Sequence, residues 1–328
     1  MKQVTFTIKT KGGHQEGMGD VVSSIAFGNE IKRLSHDVNI IINDNDNVKK
    51  LIADNGFRFL IAETIDELGI IKNKFGDIVI LNQLNTSIDE TQFFKKNSKL
   101  IVTIDDVGNS SKVSDICFNP LYPIENSFSD LKYIPLKQEV LEKIHHIKPV
   151  KQEVENILVI QGGSDTYGFI PKITESLYSI PQHINVNIVL GPNFLHEDSL
   201  NHTLKKSPRK FNFIKNKNDL TDIFIDSDIA ITAAGFTLFE LICLGVPCIT
   251  SCAELFEVET AERIEKYRCC INHGFGRDLS GNELLKTVNK LMNNYELRLK
   301  MSTDGKALID GKGSERIVHK IIDYFSNK

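Results

Sequence analysis

Between Asp228 and Thr250 an apolar stretch with Ile229 and Ile231 runs through the small residues Ala233, Ala234 and Gly235. It continues into Phe236, Thr237 and an apolar pattern at helical spacing that carries one carboxylate, Glu240. That order predicts a buried strand, a turn where a ligand can approach the backbone, and a helix whose unpaired N–H groups and positive dipole end attract phosphate oxygens. Ala234, Gly235, Phe236 and Thr237 are the diphosphate candidates. Glu240, about one turn further on, is placed to accept hydrogen bonds from ribose hydroxyls. An ordinary βαβ turn with a surface glutamate fits the same residues.

A second constellation is the glycine-rich stretch Gly12-Gly13-His14-Gln15-Glu16-Gly17-Met18-Gly19-Asp20, after the first apolar run and before a helical pattern of Val21, Val22, Ile25, Ala26 and Ile31. Gly17 and Gly19 permit backbone conformations closed to other residues, and Asp20 falls at or just before the helix start. An ionised carboxylate there can take a proton from an attacking hydroxyl or water. Helix capping is the plainer role for it. A third turn, Gln161-Gly162-Gly163-Ser164-Asp165, repeats the strand-to-glycine order, so Gly162, Gly163 and Ser164 are further phosphate candidates; a capped βα loop accounts for Ser164 and Asp165 equally well.

Two acidic groups complete the inventory. Asp105 and Asp106 end the run Val102-Thr103-Ile104; adjacent strand side chains point to opposite faces, so one is expected to order the loop and the other, Asp106, to face the site. Glu257, Glu259 and Thr260 begin a late amphipathic helix where carboxylates can accept from sugar hydroxyls, although a solvated helix start favoured by the dipole is the alternative. Of the histidines, only His14 lies near the expected site. The six cysteines form no CxxC pair and sit largely in apolar runs, which predicts buried thiols; Cys248 and Cys252, four apart, are the one pair with a conceivable metal or redox role.

These groups need a scaffold, and the pattern supplies one. Short β-branched runs at Val4–Ile8, Val38–Ile42, Phe57–Ile61, Asp77–Leu81, Leu100–Ile104 and Ile116–Phe118 alternate with helical stretches, and the rhythm repeats at Ile157–Ile160, Val186–Leu190, Phe211–Ile214, Ile229–Thr232 and Cys248–Thr250. Helices are expected at Val21–Leu34, Ile170–Ser179, Leu238–Leu244, Thr260–Lys266 and Leu284–Asn293. The rhythm breaks once, between Leu131 and Glu155. This predicts an α/β protein of two doubly wound Rossmann-like domains, 1–150 with the linker and 151–328, facing a central cleft.

Across 328 residues the formal charge is −4, with 41% apolar and 25% charged residues and no long basic run, which disfavours nucleic-acid binding. No apolar span is long enough to cross a membrane, and the N-terminal stretch alternates like a strand instead of reading as a signal peptide, so a cytoplasmic location with no more than peripheral membrane association is expected. The glycine turn is not GxGxxG and no acidic residue ends the second strand, which argues against a dinucleotide cofactor.

Five segments together resemble the nucleotide-sugar hydrolase of the pseudaminic acid pathway and its spore-coat polysaccharide relatives, a family of the glycosyltransferase-B superfamily that also holds the lipid II-forming GlcNAc transferase. They are Gly17-Met18-Gly19-Asp20, Val102 to Asp106, Ile160 to Asp165, Ala233 to Glu240, and Asp310-Gly311-Lys312-Gly313-Ser314-Glu315-Arg316, in that order. The resemblance implies that the C-terminal domain holds a nucleoside diphosphate, with Gly235, Thr237 and Glu240 near phosphates and ribose. It also implies that the helix after Gly313 returns to the N-terminal domain. The chain departs from the family in two places: Asp20 stands where a histidine is usual, and Glu259-Thr260 where Asn-Gln or His-Gln is usual. Gly19-Asp20-Val21-Val22 is instead similar to heptosyltransferases, whose aspartate is regarded as the base.

The expectation is an inverting glycosyltransferase of surface-glycan biosynthesis (polysaccharide, nonulosonic acid or glycoprotein), with Asp20 as base. Gly162, Gly163, Ser164, Ala234, Gly235, Phe236, Thr237 and Glu240 would hold the nucleotide diphosphate, and His14, Gly17, Gly19, Asp106, Glu259 and Thr260 would lie toward sugar and acceptor. The donor would be a UDP-sugar and the acceptor a sugar, a lipid-linked group or a protein, with no metal ion or cofactor. A nucleotide-sugar hydrolase and a non-catalytic nucleotide-sugar-binding protein are the alternatives.

Overall fold

A computed structural model describes residues 3–13, 17–215, 217 and 219–328. The chain divides into two compact units, one of residues up to Lys137 together with Gly311–Lys328, the other Gln138–Asp310. The first unit contains β1 (Thr5–Thr10), α1 (Gly19–Arg33), β2 (Asp37–Ile42), α2 (Asp46–Asp54), β3 (Phe59–Ile61), α3 (Ile65–Ile71), β4 (Ile78–Asn82), α4 (Ile88–Asn97), β5 (Leu100–Ile104) and β6 (Ile116–Phe118). The second contains α5 (Gln138–Lys143), β7 (Asn156–Ile160), α6 (Phe169–Ser176), β8 (Asn185–Leu190), α7 (Glu197–Lys205), β9 (Asn212–Lys215), α8 (Thr221–Asp226), β10 (Ile229–Thr232), α9 (Phe236–Cys243), β11 (Cys248–Cys252), α10 (Leu255–Glu265), β12 (Cys270–Phe275), α11 (Gly281–Met292) and α12 (Tyr295–Leu308). The last helix, α13 (Gly313–Ser326), belongs to the first unit.

Among the described residues each unit has one six-stranded sheet, ordered β3-β2-β1-β4-β5-β6 and β12-β11-β10-β7-β8-β9, and every pairing is parallel. The two orders are the same up to renumbering. In both, consecutive strands walk to one edge, and the chain then returns to the middle and walks to the other. Parallel strands covered on both faces must be apolar throughout, which is why β4 and β5 are buried at every position.

Alternation within β1 sends Phe6 and Ile8 to the face packed by Phe27 and Ile31 of α1. Ile41, Val79 and Leu81 face Leu68 and Phe94 of α3 and α4 on the opposite side. Helices α1 and α2 leave Val102, Ile104, Ile116 and Phe118 uncovered on their side, and α13 packs on them through Ile317, Val318, Ile321 and Ile322, an i, i+1, i+4, i+5 stripe. Its start must pass the backbone of Ile134 so closely that a Cβ on Gly313 would lie 1.8 Å from the Ile134 oxygen. In the second unit α6, α7 and α11 cover Ile157, Val159, Ile188, Ile229 and Ile231 in one continuous core.

The strands expected from the sequence are present with ends displaced by at most two residues, and β12 is an addition. It is a half-exposed edge strand with Asn272, His273 and Gly274 at its centre, so it carries no apolar run. Between Leu131 and Glu155 the chain is not an open connection: Leu131, Tyr133, Ile134, Leu136, Val140 and Val154 are all buried.

Candidate functional site

In the first unit the strand order reverses between β1 and β4, where the following helices, α1 and α4, go to opposite faces. Open α/β sheets bind ligands outside the carboxyl ends of the strands at such a switch point. Asn82 ends β4 there, 1% exposed, with its side-chain amide within 2.8 Å of the Asp20 carbonyl and of the hydroxyls of Ser23 and Ser24. One asparagine thereby ties the end of β4 to the first turn of α1, and the loop beyond it brings the Leu84 N–H to Asp20 Oδ2 at 3.2 Å. Gly12 is held by Asn43 through both backbone groups, at 3.1 and 2.9 Å, and Gly13 N–H donates to the Gly17 carbonyl at 3.0 Å.

Asp20 is the second residue of α1, and Met18 occupies the N-cap without a side-chain bond, so capping does not explain the aspartate. The half-buried carboxyl is pushed up to about 7, chiefly by burial; the Leu84 N–H and Lys11 pull against that, and Asp106 adds to it. A carboxyl at such a value is divided between acid and base near neutral pH, as a general base requires.

Gly17 has φ +75, the left-handed conformation expected of it, whereas Gly19 is the first residue of α1 with no positive φ, so its role there is helical. His14 lies outside the described residues. Asp106 requires a correction: it is fully buried, and its oxygens accept from the N–H groups of Thr86 and Gly108 and from the Ser110 hydroxyl, at 2.5 to 3.3 Å. It organises the loop and presents nothing to a ligand. Strand alternation does not reach Asp106 because Asp105 turns to φ +49, which ends the strand geometry at Ile104; the Asp105 Oδ1 accepts from Leu121 N–H, also in the interior.

In the second unit the order reverses between β7 and β10, paired through Ile160 and Thr232. The next residues along these neighbouring strands are Gln161 and Ala233, so the two glycine turns read from the sequence, Gly162–Ser164 and Ala234–Thr237, flank one switch point. Gly162 has φ +67. Gly163 is met by Gly191, where a Cβ would stand 2.2 Å from the Gly163 oxygen, so that the turn is packed backbone on backbone. Ser164 Oγ lies 3.0 Å from Thr166 Oγ1. Asp165 accepts from Phe169 and Ile170 N–H at 2.8 and 2.9 Å and serves the start of α6, as its capping alternative held.

Gly235 is the N-cap of α9 and brings no side-chain acceptor to the first turn, while Phe236 and Thr237 are half-buried. Ala234, by contrast, is 1% exposed. Glu240 is 2% exposed, which excludes the surface glutamate of an ordinary crossover. Thr260 is 1% exposed inside α10, whereas its neighbour Glu259 is exposed; the two point to different sides of the helix and do not act as a pair. Asn82, Leu84 and Lys11 are the neighbours of Asp20 that the sequence reading did not single out. Asn82 alone carried a signal, a polar residue closing the apolar run Ile78 to Leu81.

The six thiols are all buried, and burial pushes those of Cys243, Cys252 and Cys269 up to about 12. Cys248 and Cys252 sit on one strand about 13 Å apart, too far to share an ion. Among the described residues no group of three or more His, Cys, Asp and Glu side chains forms a metal site, and no helix is long and apolar enough to cross a membrane. A cavity of about 550 Å³ lined by Leu34, His36 and His319 lies beyond the far end of α1, about 21 Å along the helix from Asp20.

No family model matches the chain. It is 24% identical to the spore coat polysaccharide biosynthesis protein SpsG of Bacillus subtilis over 97% of both chains. It is 32% identical to an uncharacterized protein of Methanocaldococcus jannaschii over 74% of this chain, but spans only about half, 54%, of that relative. Among solved structures, Acinetobacter baumannii MurG superposes with a TM-score of 0.69 at 11% identity, covering 97% of this chain and 99% of that one. Anabaena HepE in complex with UDP-glucose gives 0.65 at 11% identity, covering 98% and 100%. The chain is thus similar, along nearly its whole length, to the spore-coat polysaccharide biosynthesis protein SpsG, and it has the two Rossmann-like domains of the glycosyltransferase-B fold.

Proposed function

We propose that the protein is an inverting glycosyltransferase that takes a sugar from a nucleotide donor, with a UDP-sugar as the first candidate, and passes it to a hydroxyl acceptor in surface-glycan biosynthesis. The observation that carries this reading is Asp20: a half-buried carboxyl raised to about 7 at a strand switch point, with no capping duty. Asp20 removes the acceptor proton as the oxygen attacks the anomeric carbon; the glycosidic bond forms while the bond to the diphosphate breaks, and the leaving group departs as the nucleoside diphosphate.

The second unit supplies the diphosphate side. The N–H groups at Gly235, Phe236 and Thr237 and the Gly162–Ser164 turn stabilise the charge that builds on the departing phosphate, where a helix start favours negative charge. Glu240 binds the ribose. The homology with SpsG supports a place in polysaccharide synthesis, and the UDP-glucose complex on the same fold supports the donor class.

Incubation of the full chain with UDP-, GDP- and CMP-sugars in the absence of acceptor tests the reading. The expected result is little free sugar until an acceptor hydroxyl is supplied. Release of free sugar at ordinary enzymatic rates makes water the acceptor and the protein a nucleotide-sugar hydrolase.

A further inference from the structure

Beside the diphosphate turns, the second unit holds one aromatic ring fixed in place yet left open. Tyr167 lies in the loop between β7 and α6, three residues past Ser164, and Gly168 with φ +71 turns the chain into α6 directly after it. The ring stacks on Phe169 at 5.9 Å and 26° and meets the edge of Phe275 at 6.2 Å and 79°. Its hydroxyl donates to Glu254 Oε2 at 3.1 Å. Tyr167 follows β7, whereas Glu254 follows β11 and Phe275 ends β12, so the loop crosses the carboxyl end of β10, which lies between β7 and β11. That is where the Ala234–Thr237 turn begins. With Phe169 against one face and the hydroxyl tethered, the residue is still 47% exposed, a rigid platform at the carboxyl edge of the sheet.

We propose that Tyr167 and Glu254 form the subsite for the sugar of the donor: a hexose lies on the open side of the Tyr167 ring, and its hydroxyls donate to the Glu254 carboxylate. The inference rests on the reading of the second unit as the nucleotide-holding one. An aromatic face beside a carboxylate matches a hexose, which has C–H groups on the flat of its ring and hydroxyls around the rim. Charge sets the order along the donor. A carboxylate repels a phosphate, so Glu254 belongs at the uncharged end of the molecule. Position agrees with charge, because three residues span at most about 11 Å and a hexose joined to a phosphate at Ser164 therefore reaches Tyr167. Helices α6 and α9 follow strands on either side of the reversal and cover opposite faces of the sheet, so a ribose held by Glu240 carries the base away from Tyr167.

Calorimetric titration of the full chain with UDP, GDP and CDP, each alone and each carrying an uncharged hexose, provides the test. Tyr167→Ala is expected to weaken the best-bound nucleotide sugar about tenfold and to leave the matching free nucleotide within about twofold. Tyr167→Leu, also without an aromatic face, serves if the alanine variant does not fold. Tyr167→Phe keeps the platform and loses only the hydroxyl, so its affinity for the nucleotide sugar is expected to stay within about threefold of the unsubstituted chain. Glu254→Gln is expected to weaken the nucleotide sugar by roughly threefold to tenfold and not to weaken the free nucleotide. An equal loss of nucleotide and nucleotide sugar in Y167A makes the ring a nucleobase platform and overturns the sugar subsite. Unchanged affinity for both, whatever the melting temperature, leaves the ring a packing role alone and overturns it too, as does an unsubstituted chain that binds no nucleotide sugar more tightly than its nucleotide. An unsubstituted chain that binds none of these nucleotides or nucleotide sugars removes the nucleotide reading itself.

Discussion

At the switch point of the first unit the chain places a side chain that titrates, Asp20, on a start of α1 held by Asn82; at that of the second it places glycines, alanines and the uncapped start of α9. The strand orders are equivalent, so the backbone offers the same crevice twice. What differs is what fills it. A carboxyl raised to about 7 can gain or lose a proton near neutral pH, whereas the N–H groups of a helix start can only donate to an acceptor. The contrast teaches that one strand order, used twice, can carry different residue types at equivalent switch points. It also predicts which substitutions affect turnover and which affect affinity.

The largest effect belongs to Asp20→Asn, which keeps the shape and removes the base. Turnover is expected to fall by about 10²–10⁴-fold while UDP affinity, measured by calorimetry, stays as it was. Loss of affinity with turnover intact would erase the division of labour. Next is Ile321→Ala in α13, which opens a cavity under the first sheet and is expected to cost about 2–5 kcal/mol in denaturant unfolding. Because it leaves the second unit's turns untouched, UDP affinity of the folded fraction should not change.

Thr237→Val, at the start of α9, removes a hydroxyl at the diphosphate candidate site and is expected to weaken UDP binding by about tenfold at little cost in kcat. An equal fall in kcat would mean that the second unit also takes part in proton transfer. The smallest expected effect is that of Lys11→Met. Lys11 holds the Asp20 carboxyl down, so its loss moves the acid limb of the pH profile upward by a fraction of a unit.

A separate consequence of the raised carboxyl needs no substrate. The native protein keeps the Asp20 proton up to about 7, whereas an unfolded chain releases it near the ordinary aspartate value of 3.8. In that window the native state binds more protons, so the Asp20 contribution to stability falls as pH rises from about 4 through about 7. Asp20→Asn is expected to remove that slope and to be more stable than the unsubstituted chain at high pH, as seen in melting temperatures across the range.

Strands buried on both faces were legible because parallel sheets need uninterrupted β-branched runs, and the two glycine turns were legible as strand ends because glycine breaks both the strand and the helix pattern. Positions set by tertiary contact were not. Asp106 looks from the sequence like a residue at the mouth of a site, and only the left-handed turn at Asp105 shows that the loop folds around it. Ala234 reads as an open position of the turn, yet it is 1% exposed once α9 and α10 pack around it. β12 went unseen because an edge strand at the half-exposed border of the sheet needs no apolar pattern. Asn82 could be noticed as a polar residue ending an apolar run, but its hold on the start of α1 depends on β1 and β4 being neighbours, which composition does not reveal.

The most direct test of the central claim is the pH dependence of kcat/KM for sugar transfer, once a donor and an acceptor are in hand. The rate is expected to fall about tenfold per unit below a limb near pH 7, with the limb absent from the residual activity of Asp20→Asn. A profile that stays flat through that region, or a limb that survives the substitution unchanged, would contradict it.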